Sequence, residues 1–187
     1  MPARDTRSNP KRPVAKASGF SLLELLIVVA IILIIAAIAL PNFLRAKIAA
    51  NEAAAASEVR TITTAAVEYN STYANGFPPS LSVLGPPAGG GNAASCDNAN
   101  LIDEVVAAGQ KSGFNFAISG VGTANSTAAT GCSLPGFGDY LVTAAPVSIG
   151  MTGQRSFCSD EPGEVYFDIT GAVSTNATAC ENLPVLQ

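Results

Sequence analysis

The chain lacks histidine, contains only 6% aromatic residues and has no Cys-x-x-Cys pair. Without histidine it lacks the commonest general base and the commonest transition-metal ligand. Its cysteine spacing is untypical of zinc or thioredoxin-like sites, and it contains no Gly-x-Ser-x-Gly nucleophile turn. The composition therefore argues against an enzyme, and it predicts no cofactor.

Positive charge is scarce beyond the N-terminus. Residues 1–19 carry a net charge of +4, whereas residues 20–187 carry a net charge of −8. A surface this acidic lacks the electrostatic footprint of a nucleic-acid-binding protein. We therefore expect no nucleic-acid partner.

One long hydrophobic run stands out against this background. It extends from Phe20 to Leu40 and contains a single charged residue, Glu24. As a helix it would be about 31 Å long, which matches the hydrocarbon core of a bilayer at about 30 Å. Five cations precede the run, whereas only Arg45 and Lys47 follow it closely, so the positive-inside rule predicts an exported C-terminal part.

Three processing fates are open for this run. It could persist as a membrane anchor, or act as a signal peptide cleaved after Ala39, where Ala37-Ile38-Ala39 forms a suitable site. It could also be retained after cleavage between Gly19 and Phe20. The signal-peptide reading is disfavoured because the run exceeds the usual h-region of about 7–15 residues.

Glu24 favours the third fate. A carboxylate inside hydrocarbon costs about 2.5–3.5 kcal/mol even on the lenient insertion scale, so it normally has a partner. Cleavage after Gly19 would give Phe20 a free amine that could pair with Glu24 of a neighbouring copy. The plainer alternative is that Glu24 lies near the interface and reaches water.

The stretch "GFSLLELLIVVAIILIIAAIALPNF" resembles the class III signal sequences of type IV pilins and type II secretion pseudopilins. The features shared with them are the basic leader ending in Gly19, Phe20 as first mature residue, Glu24 as fifth and the run reaching Pro41. The strong resemblance covers residues 16–75.

The resemblance implies a maturation route and a set of partners. A prepilin peptidase would cleave after Gly19 and methylate the amine of Phe20. Subunits would then leave the bacterial inner membrane and enter a helical homopolymer through the pilus assembly machinery. Glu24 would pair with the Phe20 amine of an adjacent subunit, which fixes the register of assembly.

A second helix segment follows the apolar run. Apolar residues recur at three- and four-residue steps from Leu44 to Tyr73, and a polar face with Arg45, Lys47, Glu52, Glu58 and Arg60 completes an amphipathic pattern over residues 41–75. Pro41 should kink the combined helix, because it removes a backbone hydrogen bond. We expect the helix to end near Asn75-Gly76.

The period changes to two in the C-terminal part. We predict a short helix at 101–109 and strands at 114–119, 140–147, 155–159, 164–169 and 172–175. Short turns between them imply an antiparallel sheet covered by the amphipathic helix. The expected fold class is α+β, the pilin fold, with a leader (1–19), a membrane or filament-core helix (20–40), an amphipathic helix (41–75) and a globular head (76–187).

Four cysteines, an even number in an exported chain, indicate two disulfides. Cys96, Cys132, Cys158 and Cys180 allow three pairings. We favour the sequential one, which closes two separate loops. Under the resemblance, a loop between Cys158 and Cys180 matches the C-terminal disulfide-bounded loop of many type IV pilins.

Acidic residues near the C-terminus are weak calcium candidates. Asp160, Glu161 and Asp168 supply the oxygen ligands that Ca²⁺ prefers, and pseudopilins hold calcium in a C-terminal loop. A solvated turn explains the same residues equally well, so we predict no metal site.

The sequence thus predicts a structural subunit of a type IV pilus, an extracellular filament with an adhesive, motility or similar surface role. One alternative is a major pseudopilin of a type II secretion system. Another is an exported binding domain released after Ala39.

Overall fold

A computed structural model of the chain describes residues 19–87, 93–160 and 163–186. The predicted leader up to residue 18 and the calcium candidate Glu161 lie outside the described residues. The chain divides into two compact units between Pro41 and Asn42. Their architecture is α+β, as predicted: a long N-terminal helix, then a five-stranded antiparallel sheet on which its second part packs.

Helix α1 extends from Leu22 to Tyr73 and contains Pro41. The predicted kink at Pro41 stays a prediction. The helix ends where Ala74 and Gly76 adopt left-handed backbone angles, with φ of 51° and 88°, a common way to stop a helix. This agrees with the expected end near Asn75-Gly76.

In the second unit, one face of α1 is buried over five turns. The buried positions recur at the three- and four-residue spacing of a helix face: Glu52, Ala55, Ala56, Val59, Ile62, Thr63, Ala65, Ala66 and Tyr69. Small alanines on this face let the helix backbone come close to the sheet. Glu52 was expected on the polar face, and its burial corrects that expectation.

Five strands follow one another in space in chain order, each antiparallel to the next. They are β1 (Gln110–Lys111), β2 (Phe114–Ala124), β3 (Phe137–Pro146), β4 (Ser156–Ser159) and β5 (Tyr166–Asp168). Short helices α2 (Leu81–Leu84), α3 (Glu104–Ala107) and α4 (Ala177–Glu181) occupy the connections and the C-terminal region. Helix α3 is the shorter form of the helix predicted at 101–109, and Gly109 at φ 86° follows it.

Each face of the sheet carries its own apolar cluster. Phe114, Phe116 and Ile118 of β2 alternate toward the main core, which they share with α1. On the opposite face, Leu141 and Cys158 cluster with Tyr166 and Cys180. Strand alternation allows this, because successive side chains point to opposite faces. The C-terminal segment therefore covers the face that α1 leaves open.

The strand predicted at 172–175 is wrong. These residues have no strand conformation. The outer edge of β5 is taken instead by the last described residues, since Phe167 N donates to Pro184 O at 3.0 Å and Leu186 N donates to Val165 O at 2.7 Å. An edge that is already paired has no donors left for another strand.

Candidate functional site

The predicted cleavage site lies just ahead of α1. Gly19 and Phe20 are outside the helix, and the Phe20 side chain is 92% exposed. A Cβ placed on Gly19 would meet no atom of the described residues within 4 Å. The packing of the described residues therefore leaves room for a larger side chain at this position.

Ser21 and Glu24 form a capping box at the start of α1. The Ser21 amide donates to Oε2 of Glu24 at 2.9 Å, and the Leu23 amide donates to Oγ of Ser21 at 3.3 Å. A Ser–x–x–Glu box satisfies backbone donors that a helix start leaves without partners. Glu24 thus stabilises the start of its own helix. Our sequence analysis missed this role, although the sequence Ser-Leu-Leu-Glu at residues 21–24 is the signature of a capping box.

The apolar run is uncovered along its length. Its large side chains are each at least 46% exposed, and no part of its most apolar 18-residue window is buried. Among the described residues, α1 is the one helix long and apolar enough to cross a membrane. Complete burial stabilises a fully exposed side chain of this kind by about 1.5–3 kcal/mol, and these side chains would gain the part of it that matches their exposure, so the surface suits a membrane anchor.

Glu52 of α1 binds the loop that precedes β4. Its Oε1 accepts from the amides of Gln154 at 2.7 Å and Arg155 at 3.0 Å, and its Oε2 accepts from Nε of Arg155 at 2.8 Å. Burial opposes ionisation of the carboxyl, but these hydrogen bonds and the guanidinium charge outweigh it, so the pKa of Glu52 is lowered. Arg155 also lies over the rings of Phe157 and Phe167, at 5.7 and 5.3 Å from their centroids.

Lys111 joins α1 to the segment before the sheet. Its Nζ contacts Glu58 at 2.9 Å and Asp103 at 2.7 Å. Hydrogen bonds to both carboxylates raise the pKa of Lys111. Asp103 also caps α3 by accepting from the Val106 amide at 2.9 Å.

Asn75 is a buried hub at the far end of α1. Its side chain donates to Leu134 O at 3.0 Å and to the Tyr69 hydroxyl at 3.2 Å, and it accepts from the Ala129 amide at 2.9 Å. A fully satisfied buried amide of this kind specifies one packing arrangement. Sequence reasoning named Asn75 only as a helix end, because two of its three partners, Leu134 and Ala129, lie more than fifty residues away.

The two disulfides join Cys96 to Cys132 and Cys158 to Cys180, which is the sequential pairing. The first ties the segment that precedes the sheet to the connection between β2 and β3, and Cys96 Sγ lies 3.0 Å from the Tyr69 hydroxyl. The second ties β4 to α4, where Asn176 caps the helix through the Ala179 amide at 2.8 Å.

The calcium candidates do not come together as a site among the described residues, where no group of three His, Cys, Asp or Glu side chains is placed to hold a metal ion. Oδ1 of Asp168 accepts from the amide and the hydroxyl of Thr170, both at 2.7 Å. These bonds lower the pKa of Asp168 and account for its position in a turn.

A family model of the prokaryotic N-terminal methylation motif matches residues 14–40. This motif is the class III signal sequence of type IV pilins and pseudopilins, so the resemblance found in the sequence is confirmed for this segment. The match includes Gly19, Phe20 and Glu24. No curated protein and no solved structure matches the chain.

Proposed function

We propose that this chain, a prepilin-like precursor with a membrane-anchoring apolar helix, matures into the structural subunit of a type IV pilus. The observation that carries the proposal is the methylation motif at residues 14–40, whose apolar part forms the first turns of α1 and is not buried by any of the described residues. A prepilin peptidase would cleave after Gly19 and methylate Phe20. The mature subunit would then pass from the inner membrane into an extracellular filament.

The exposed apolar surface of the helix explains why we expect the protein in a membrane or in a filament and not as a free subunit in water. In the precursor, hydrocarbon covers the large apolar side chains of residues 20–40. In the filament, the same side chains of other copies replace the lipid, so that the hydrophobic free energy is retained on leaving the membrane. A free subunit in water would expose the whole surface.

Glu24 serves both states in this proposal. Its carboxylate caps α1 through the Ser21 amide, and a carboxylate has about four acceptor positions. It can therefore keep the cap and accept a neighbour's Phe20 amine as well. Pairing a charge with a cation at this depth offsets the cost of burying it.

The head suits an exported filament. Two disulfides withstand an oxidising exterior, and the contacts of Glu52 and Lys111 hold the sheet on α1. Pseudopilins carry the same methylation motif; the disulfide-closed C-terminal loop between Cys158 and Cys180 is the feature that leads us to choose the pilin.

The first experiment is the intact mass and N-terminal sequence of the protein recovered from the cell surface. The proposal expects a start at N-methylated Phe20, and unprocessed precursor for Gly19→Ser. A start at Leu40 would mean an exported domain released from a signal peptide and would overturn the proposal. Electron microscopy of the same preparation separates long pili from the short filaments of a secretion system.

A matched pair of variants separates the two roles of Glu24. Glu24→Gln keeps a capping-box residue but removes the charge, whereas Glu24→Ala removes both. If pairing with the Phe20 amine drives assembly, both variants insert in the membrane, and both lose filaments. Normal filaments from Glu24→Gln would show that the cap alone matters.

A further inference from the structure

An exposed apolar patch lies at the end of the head where the chain enters it. The patch, which we call the basal patch, consists of the exposed Ile149, Met151 and Ile169 and the half-buried Ile48. Ile149, Met151 and Ile169 are 54%, 70% and 67% exposed. Side chains of this size seldom cluster in the open without a partner.

Named contacts bring the members of the basal patch together. Ile169 lines one groove with Ile48 and Arg45 of α1. The loop that carries Ile149 and Met151 is tied to α1, because Asn51 Nδ2 donates to Thr152 O at 2.9 Å. Ile149 also reaches the turn after Ile169, since a Cβ on Gly171 would lie 3.1 Å from its Cδ1.

The loop presents its apolar side chains in a defined conformation. The amides of Met151 and Thr152 both donate to Ser148 O, at 3.1 and 2.9 Å, and Gly150 N donates to Gly153 O at 2.8 Å. A turn with this many internal hydrogen bonds holds Ile149 and Met151 outward, and folding them inward would break those bonds.

Charge around the basal patch differs from charge on the rest of the head. Arg45 and Lys47, both exposed, precede Ile48, whereas the chain from residue 50 onward is strongly acidic. Of the nearby acids, Glu52 is bound to Arg155 and Asp168 is bonded within its own turn. The base of the head therefore combines exposed apolar side chains with cations, as an interfacial membrane-binding surface does.

We propose that the basal patch docks on the anionic lipid surface of the membrane before assembly. This rests on the anchoring part of the proposed function, because residue 42 follows directly on the segment that would span the bilayer. Ile149, Met151 and Ile169 would enter the boundary between headgroups and acyl chains, and Arg45 and Lys47 would contact lipid phosphates. Extraction into a filament would then have to release the head as well as the helix.

The absence of tryptophan makes a direct test available. Met151→Trp and Ile169→Trp, each in the full chain, are reconstituted in phosphatidylcholine–phosphatidylglycerol vesicles with acyl chains brominated near the carbonyl end. The matched control is Leu134→Trp. Leu134 is 58% exposed, and its carbonyl is bonded to Asn75, which places it beyond about 33 Å of helix from Asn51.

The expected result is strong bromine quenching of tryptophan at positions 151 and 169, with emission shifted to the blue, and neither change at position 134. Replacing Arg45 and Lys47 by Gln should weaken the quenching in anionic vesicles and have little effect in purely zwitterionic ones. High salt should act in the same direction as these substitutions.

Other outcomes overturn the inference. Chains that float with the vesicles but show no quenching at 151 and 169 would refute lipid docking while leaving the anchor intact. A blue shift without quenching would mean that a second copy covers the patch, and equal quenching at all three positions would mean unspecific collapse onto the lipid. Failure to float would refute the anchor, and with it the proposed function.

Discussion

Glu52→Gln is the substitution that tests the packing of the head most directly. It keeps the size of the side chain but removes the charge from an acceptor of three hydrogen bonds, from Gln154 N, Arg155 N and Arg155 Nε. A hydrogen bond to a charged group contributes about 1.5–3 kcal/mol, against about 0.5–1.5 kcal/mol for a neutral one. The glutamine amide would also place a donor against the Arg155 guanidinium.

The expected loss in the free energy of unfolding is about 2–4 kcal/mol. It stays below the full cost of an orphaned buried charge, because the Arg155 side chain is 35% exposed and can turn to water, whereas Glu52 is 7% exposed. For a domain of about 150 residues this corresponds to a decrease in Tm of roughly 6–12 °C. Glu68→Gln, an exposed glutamate on the same helix, is the control.

The pH dependence gives an independent signature. Because the folded-state pKa of Glu52 is lowered, its contribution is present above the unfolded pKa of about 4.3 and is lost as pH falls through the folded value. The difference between wild type and Glu52→Gln should therefore shrink in acid. The full chain in mild detergent is melted at neutral and acidic pH, and unfolding is followed by near-UV circular dichroism of the buried Tyr69 and Tyr140. Equal Tm values for Glu52→Gln and Glu68→Gln at neutral pH, or a pH-independent difference, would refute the reasoning.

Two further predictions concern other ties in the head. Replacing Cys158 and Cys180 together by Ser should lower the free energy of unfolding by about 3–4 kcal/mol and free the C-terminal segment to proteolysis; a cleavage rate equal to that of wild type would contradict this. Lys111→Met should lower the free energy of unfolding by only about 1 kcal/mol, because the ion pairs that Lys111 makes with Glu58 and Asp103 are partly exposed. Denaturant titrations at low and high salt should show that cost fall as salt rises, and a salt-independent cost would indicate lost packing instead of lost charge.

Features determined by neighbours in the chain were predictable. The length of the run from Phe20 to Leu40, the helix end near Gly76 and four of the five predicted strands depend on residues a few positions apart. The predicted strand at 172–175 failed because the edge it needed is paired with residues 184–186, and strand propensity carries no information about competition for an edge. The capping box of Ser21 and Glu24, which our sequence analysis missed, could also have been predicted, because the two residues are only three positions apart.

Glu52 shows both what sequence can indicate and where it stops. Its spacing of three residues before Ala55 and seven before Val59 places it on the buried stripe, yet its charge argues for the polar face. Glu52 can be buried because the guanidinium of Arg155, more than a hundred residues away, pairs with its carboxylate. The backbone amides of Gln154 and Arg155 donate two further hydrogen bonds to it. No local pattern specifies a partner at that distance.

The sequence by itself determined the methylation motif at residues 14–40 and the order of the elements: one apolar segment, an amphipathic helix segment and a strand-rich head with four cysteines. These depend on hydrophobicity, periodicity and spacing, which are properties of contiguous residues. Only the tertiary structure decided that Glu52 is buried, that the C-terminal segment covers the second face of the sheet, and that Ile169 lines a groove with Ile48. These features depend on contacts between segments that are far apart in the chain, and such contacts form only when the chain packs.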